Sequence, residues 1–233
     1  MILLAFETSA KAASVALFDG ENLLGEQYQN TGLTHSQTLM VMAEDLLRQC
    51  GKAPADVEAV AVANGPGSFT GVRIGAAAAK GFAWGREIPL YGVSTLEAMA
   101  LGLGVHQGYV CPVMDARRSQ VYNALFYVNQ GNVQRIASDR AIALDDLKNE
   151  LKNCKESVFL VGDGSNLCYN CLLEEVSNLV LPPEHKLHQR AVGVGLAALA
   201  MIHRNESTDA AAITPNYLRL SQAEREKLAR EQK

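Results

Sequence analysis

The chain has 233 residues, 48% of them apolar and 20% charged, with 21 basic against 25 acidic side chains and a net charge of -4. That composition excludes disordered and collagen-like chains, and a chain of this length buries roughly 70% of the surface its unfolded form exposes, enough to fold without disulfides or a metal. The acidic balance argues against tight autonomous binding to nucleic acid, which needs clustered Lys and Arg, although it leaves room for a local basic patch. The apolar run Ala191–Ile202 is too short to span a bilayer. Met1–Phe6 lacks a basic flank and meets Glu7 at once, so it does not read as a signal peptide. Five cysteines without an export signal fit a reducing, cytoplasmic setting. Cys168 and Cys171 form one C-x-x-C pair with no second pair beside it, which reads as structural rather than as a redox or zinc centre.

In chain order, the apolar runs Met1–Glu7, Ala12–Phe18 and Asn22–Tyr28 form a three-strand meander, with Asp19-Gly20 as the second turn. Ser36–Cys50 follows as a helix, because Leu39, Met42, Ala43, Leu46, Leu47 and Cys50 recur at the spacing of one face. Thr34 and Gln37 suit a capping box at its start. Val57–Ala63 is a continuous apolar run, as in a strand buried on both faces. A glycine-rich turn then opens a helix over Thr70–Trp84, and a short strand, Leu90–Val93, leads into a third helix, Ser94–Leu103. The order repeats beyond a linker at Gly102–Gly108. Strands at Tyr109–Met114, Val121–Val128 and Val133–Ala137 precede a helix at Asp145–Asn153. Next come a strand at Val158–Val161, a helix near Asn166–Val176, a strand at Asn178–Leu181 and a helix at Ala191–Arg204. Both halves read βββαβαβα, which predicts an α/β chain of two lobes, residues 1–104 and 105–233. Ser221–Lys233 is charged and helix-prone, as in a solvated or partner-dependent tail.

Three segments have the residue types for chemistry. Gly65-Pro-Gly-Ser-Phe-Thr-Gly71 joins a buried strand to a helix N-terminus, which suits either an anion on free backbone N–H groups or a tight turn capped by Thr70. It is not a Walker A loop, since no Gly-Lys-Ser/Thr follows. Phe6-Glu-Thr-Ser9 lies at the first hairpin turn, where Thr8 and Ser9 are candidate anion or nucleotide contacts. Met114-Asp-Ala-Arg-Arg-Ser119 ends a strand with Arg117 and Arg118, whose guanidinium groups suit carboxylate or phosphate and serve equally in surface ion pairs. None of the five histidines has an i, i+4 partner, so no helical metal site is predicted.

Taken together, Ala5–Ser9, Ser14–Leu17, Thr34–Ser36, Ala63–Gly75, Gly92–Ala98, Met114–Arg118 and Pro215–Arg219 resemble the bacterial TsaB family from one end of the chain to the other. The resemblance implies a two-lobed member of the actin/Hsp70/sugar-kinase superfamily, of the ribonuclease H-like class. It also implies a cytoplasmic subunit with no cofactor or catalytic centre of its own. Such a subunit dimerises with the transferase TsaD, or with a second copy when TsaD is absent, and is joined by the ATPase TsaE. The complex makes N6-threonylcarbamoyladenosine at position 37 of tRNAs that read codons beginning with A, and this subunit meets tRNA only through the complex. TsaD has a segment resembling Val-Asn-His-Leu-Glu-Gly-His with two metal-binding histidines. The matching stretch is Val93–Met99, with Thr95 and Met99 at the ligand positions, and neither can replace imidazole. Glu7 departs from the Asp of many family members, which weakens a phosphate role for the first hairpin. The alternatives are an ATP-dependent kinase or phosphatase of the same fold and a glycoprotease-like metalloenzyme.

Two helix faces are the predicted partner interface. The apolar arc of the first helix is wider than one sheet contact requires, which places Met40 or Leu47 at a partner. On a 100° wheel the second helix gathers Gly71, Gly75, Ala78 and Phe82 on an inner side. Arg73, Ala77, Lys80, Gly81 and Trp84 gather on an outer one that mixes the chain's only Trp with basic and small residues.

Overall fold

The computed structural model describes residues 1–206 and 213–219; the Ser221–Lys233 tail lies outside the described residues. The first sheet contains β1 (Ile2–Glu7), β2 (Ala13–Asp19), β3 (Asn22–Gln29), β4 (Ala59–Ala63) and β5 (Leu90–Val93) in the order β3-β2-β1-β4-β5. The second contains β6 (Gln107–Asp115), β7 (Gln120–Asn129), β8 (Asn132–Ala143), β9 (Val158–Val161) and β10 (Leu179–Val180) in the order β10-β9-β6-β7-β8. Each sheet is an antiparallel meander continued by parallel strands: β1 pairs antiparallel with β2 and parallel with β4, and β6 does the same with β7 and β9. The parallel strands need crossover connections, and helices supply them.

Those helices are α1 (His35–Gln49), α2 (Phe69–Trp84), α3 (Thr95–Leu103), α4 (Leu144–Leu151), α5 (Ser165–Leu172) and α6 (Ala191–His203). α1 and α2 cover the outer face of the first sheet. There Leu39, Met42, Leu46 and Leu47 of α1 and Ala79 and Ala83 of α2 pack on Leu4, Phe6, Val60 and Val62. α4 and α5 cover the outer face of the second sheet with Leu147, Leu151, Cys168 and Leu172. The two inner helices are exchanged. α3 follows a strand of the first sheet but packs Leu96, Met99 and Leu103 on Val110, Met114 and Phe126 of the second. α6 follows the second sheet and lays Ala191, Val194, Ala197 and Ala198 on Leu3, Ala5, Ala16 and Ala61 of the first. Gly193 makes the α3–α6 crossing possible, since a Cβ there would collide with the carbonyl oxygen of Ala98. Polar ties add to the exchange. Arg135 of β8 bonds Glu97 of α3 at 2.8 Å and Asp139 at 2.5 Å, and the Ser94 hydroxyl donates to Asp139.

Two βββαβαβα units with parallel strands beside a meander form the two-lobed actin/Hsp70/sugar-kinase type of α/β fold. Several local expectations need correction. Thr34 caps α1 by position but makes no side-chain cap bond, so the capping box does not form. α2 starts at Phe69 with Ser68 as its cap, so Thr70 lies inside the helix. β8 runs on to Ala143, because its continuation pairs with Gln120–Asn123. α5 ends at Leu172, and β10 is two residues long.

Candidate functional site

The Gly65–Gly71 loop is built against the first hairpin. The Ser68 N–H donates to the Ser9 carbonyl at 2.6 Å, and the Ser68 hydroxyl accepts from the Gly71 N–H at 3.3 Å. The Thr8 hydroxyl is buried and donates to the Gly71 carbonyl at 2.8 Å. A Cβ on Gly71 would strike the Thr8 carbonyl, and one on Gly75 would strike the Thr8 hydroxyl. The glycines therefore let α2 rest directly on the hairpin, and the Ser68 and Gly71 amides, which could help cradle an anion, are bonded within the chain. This is a tight capped turn. Of the two candidate anion contacts there, Thr8 has committed its hydroxyl, and Ser9 is fully buried. His35, just after the α1 cap, donates from Nε2 to the Ala10 carbonyl at 2.8 Å and ties the first long helix to the same hairpin.

Between the lobes lies a cleft of about 590 Å³, walled by Ser9, Lys11 and Phe69 on one side and by Asp115, Arg117 and Asp163 on the other. Glu7 is buried beneath it. Its Oε1 accepts the Ser9 N–H at 2.5 Å, while Oε2 has no partner, as is also true of the Ser9 hydroxyl and Gln189 Oε1. Burial raises the Glu7 pKa to about 7, against the pull of the Ser9 N–H bond, so the carboxyl is half protonated near neutrality. Asp163 shows solvent part of its surface, yet its carboxyl accepts from Gln189 Nε2 at 3.1 Å and is also raised by desolvation.

Arg117, Arg118 and Ser119 have φ of 63°, 57° and 55°, three consecutive left-handed residues with no glycine among them. Such residues cost about 1–3 kcal/mol each and persist only where their surroundings hold them. Here Asp115 Oδ1 accepts the Arg117 N–H at 2.6 Å, and Leu144 N–H donates to the Ser119 carbonyl at 3.2 Å. Arg219 donates from Nη1 to the Ala116 carbonyl at 2.6 Å. The segment bearing Arg219 is anchored on the other lobe. The Asn216 N–H bonds the Asn64 carbonyl at 2.7 Å. The Tyr217 ring stacks on Phe69 with centroids 4.9 Å apart, and its hydroxyl accepts from Arg73 Nε at 2.7 Å.

The outward faces of α1 and α2 expose several apolar residues. Trp84 is 81% exposed and shares a solvent-facing side of α2 with Arg73, Ala77 and Gly81, while Lys80 is half-buried there. Met40 and Val41 of α1 are exposed at 42% and 58%. Leu47, expected beside Met40, is 2% exposed and belongs to the core under α1; the wide apolar arc is mostly consumed by the sheet. The buried side of α2 also differs from the wheel: Gly71 and Gly75 are inside, with Val72, Ala76, Ala79 and Ala83, whereas Ala78 and Phe82 sit half-buried at the edge. A groove of about 430 Å³ runs between the helices, lined by Met40, Val41, Leu47 and Phe82 among others. Arg73 is held over the Phe69 ring at 3.6 Å, so the structure places it on this face but braced from within.

Among the described residues, no group of three His, Cys, Asp or Glu side chains is placed to hold a metal. Thr95 and Met99 are buried, Met99 within the α3 core. Cys168 is buried, with its thiol pushed up to about 12 by desolvation, and Cys171 faces solvent; both are free. No described helix is long and apolar enough to cross a membrane.

A family model described as TsaD, tRNA N6-adenosine threonylcarbamoyltransferase, matches residues 29–227. The tRNA threonylcarbamoyladenosine biosynthesis protein TsaB of Bacillus subtilis is 32% identical over 229 residues, covering 96% of either chain. A solved structure from Pseudomonas aeruginosa, of a protein described as similar to the peptidase YeaZ, superposes with a TM-score of 0.75 at 27% identity, covering 94% of this chain and 99% of its own. The ethanolamine utilization protein EutJ of Carboxydothermus hydrogenoformans shares the fold alone, with a TM-score of 0.51 at 12% identity, over 84% of this chain and 90% of its own. With a TsaB relative 32% identical over 96% of either chain and a YeaZ-like structure superposing over nearly the whole fold, the chain belongs to the TsaB/YeaZ family.

Proposed function

We propose that the chain serves the biosynthesis of N6-threonylcarbamoyladenosine on tRNA as a non-catalytic assembly subunit that docks on the transferase TsaD, with TsaE joining the complex. The exposed α1–α2 face is the observation that carries this reading. A monomer rarely leaves a Trp 81% exposed, with Met40 and Val41 of the neighbouring helix exposed as well, unless such residues meet a partner. The small residues Ala77 and Gly81 let a facing helix approach closely, and the groove beside Phe82 can accept its side chains. The same face, being self-complementary in principle, would pair two copies when TsaD is absent. Support for a non-catalytic role comes from the donor set: the side chains at the transferase's metal-ligand positions, Thr95 and Met99, are buried and chemically unsuited to the task. Sedimentation of the chain mixed with TsaD is the test. Expected is a 1:1 complex that displaces any homodimer; two species sedimenting independently at micromolar concentration would overturn the reading.

A further inference from the structure

We propose that the mouth of the interlobe cleft is a contact for the phosphodiester backbone of folded RNA, made by Arg117, Arg118 and Lys11. The proposal rests on the reading that the chain works in a tRNA pathway, and it goes beyond docking. These three side chains are exposed, and none has an ion-pair or hydrogen-bonding partner for its charge among the described residues. Other arginines at the lobe junction are neutralised: Arg135 by Glu97 and Asp139, and Arg190 by Glu26. Lys11 rises from the β1–β2 turn and Arg117 from the opposite wall of the same cleft, so the charges flank its opening.

The loop that carries the two arginines is costly to maintain and held from every side. Its three left-handed residues are pinned through Asp115 and Leu144, and Arg219 grips the Ala116 carbonyl. All of these bonds engage the backbone of the loop, and the Arg117 and Arg118 side chains remain exposed. Strain held in place at two adjacent, exposed arginines is the pattern of a prearranged binding loop. Arg219 is then a positioning residue, and the Pro215–Arg219 segment gains a purpose that docking alone does not give it.

The ligand runs along the rim rather than into the cleft. Inside the cleft an anion would meet the Asp115 and Asp163 carboxylates that line it, and around the start of α2 the Ser68 and Gly71 amides are already bonded, to the Ser9 carbonyl and the Ser68 hydroxyl. A small nucleotide seated inside would face those acids, whereas an extended phosphate backbone reaches only the rim. With three phosphate contacts, affinity should fall roughly 20–40-fold between about 50 and about 200 mM salt, a log–log slope of about -2 to -3.

The test titrates fluorescent unmodified tRNA transcript with the full chain across salt, for wild type, the double variant Arg117→Glu/Arg118→Glu, Arg219→Ala and Arg219→Lys, with magnesium ATP as competitor. Expected is a weak complex whose slope drops to about -1 in the double variant, with affinity lowered at least tenfold at low salt. Arg219→Ala should weaken binding although both rim arginines remain, and Arg219→Lys, which can still donate to Ala116, should partly restore it. Unchanged affinity in the double variant overturns the proposal, and so does displacement of tRNA by equimolar ATP, which would assign the site to a small nucleotide. Association of each variant with TsaD is read separately: normal docking with unaltered RNA affinity defeats only the rim proposal, and failure of wild type to dock defeats only the assembly reading.

Discussion

Trp84→Ala separates a docking residue from a core residue. A Trp side chain buries about 150–250 Å² when fully covered, and Trp84 is 81% exposed in the monomer, so roughly 120–200 Å² remains for a partner. At about 25 cal/mol per Å² that is up to about 5 kcal/mol of transfer free energy. Ordering costs on association reduce this to the range of interface hot spots, about 2 kcal/mol or more. The dissociation constant for TsaD should therefore rise roughly 30-fold. In the monomer the same truncation removes little packing and should change stability by no more than about 0.5 kcal/mol, less than about 2 °C in Tm. Isothermal titration with TsaD and a thermal melt of the free variant read both numbers. A melt lowered by several degrees, or an unchanged affinity, refutes the assignment of Trp84 to a partner.

The neighbouring positions should behave in the opposite sense. Gly75→Leu forces a side chain into the Thr8 hydroxyl beneath α2 and should destabilise the monomer by about 1–3 kcal/mol, visible as a lower melting temperature. Leu47→Ala empties a site that is 2% exposed and should cost about 2–5 kcal/mol of stability, whereas Met40→Ala should leave the melt alone and weaken association. Glu7 sets a pH dependence. Its folded pKa of about 7 lies above the ordinary 4.5, so the folded state holds the proton longer than the unfolded state, and stability falls as pH rises from about 4.5 through about 7. Glu7→Gln removes that slope and should stabilise the chain above pH 7 by up to about 3 kcal/mol; its melting temperature should exceed wild type at pH 8 and approach it near pH 5. Parallel curves at both pH values would show that Glu7 is not the group involved.

Much of this architecture is legible in the residues. The meanders and covering helices follow from apolar periodicity, and the exposed side of α2 follows from the 100° wheel, because Arg73, Ala77 and Gly81 are spaced to share it with Trp84. The exchange of α3 and α6 is not legible: both are apolar around most of their circumference, so periodicity cannot say which sheet each covers. Gly193 against Ala98 and Gly102 against Gly193 mark their crossing, but glycines inside a helix have many other uses. Leu47 is misplaced for a related reason, since a wide apolar arc looks the same whether a sheet or a partner covers it. The left-handed run at Arg117–Ser119 contains no Gly, Asn or Asp, and so gives no composition signal for its conformation. Its geometry comes from residues far along the chain, Leu144 and Arg219, as does the bracing of Arg73 by Tyr217.

The most direct measurement is formation of threonylcarbamoyladenosine on tRNA by the reconstituted system, this chain with TsaD, TsaE, threonylcarbamoyl-adenylate and tRNA, with each protein omitted in turn. A non-catalytic assembly subunit should give no product by itself, should be required alongside TsaD, and should lose its effect in the Trp84→Ala variant at concentrations below the weakened dissociation constant. Product formed by this chain without TsaD, or full activity when this chain alone is left out, would contradict the assembly role.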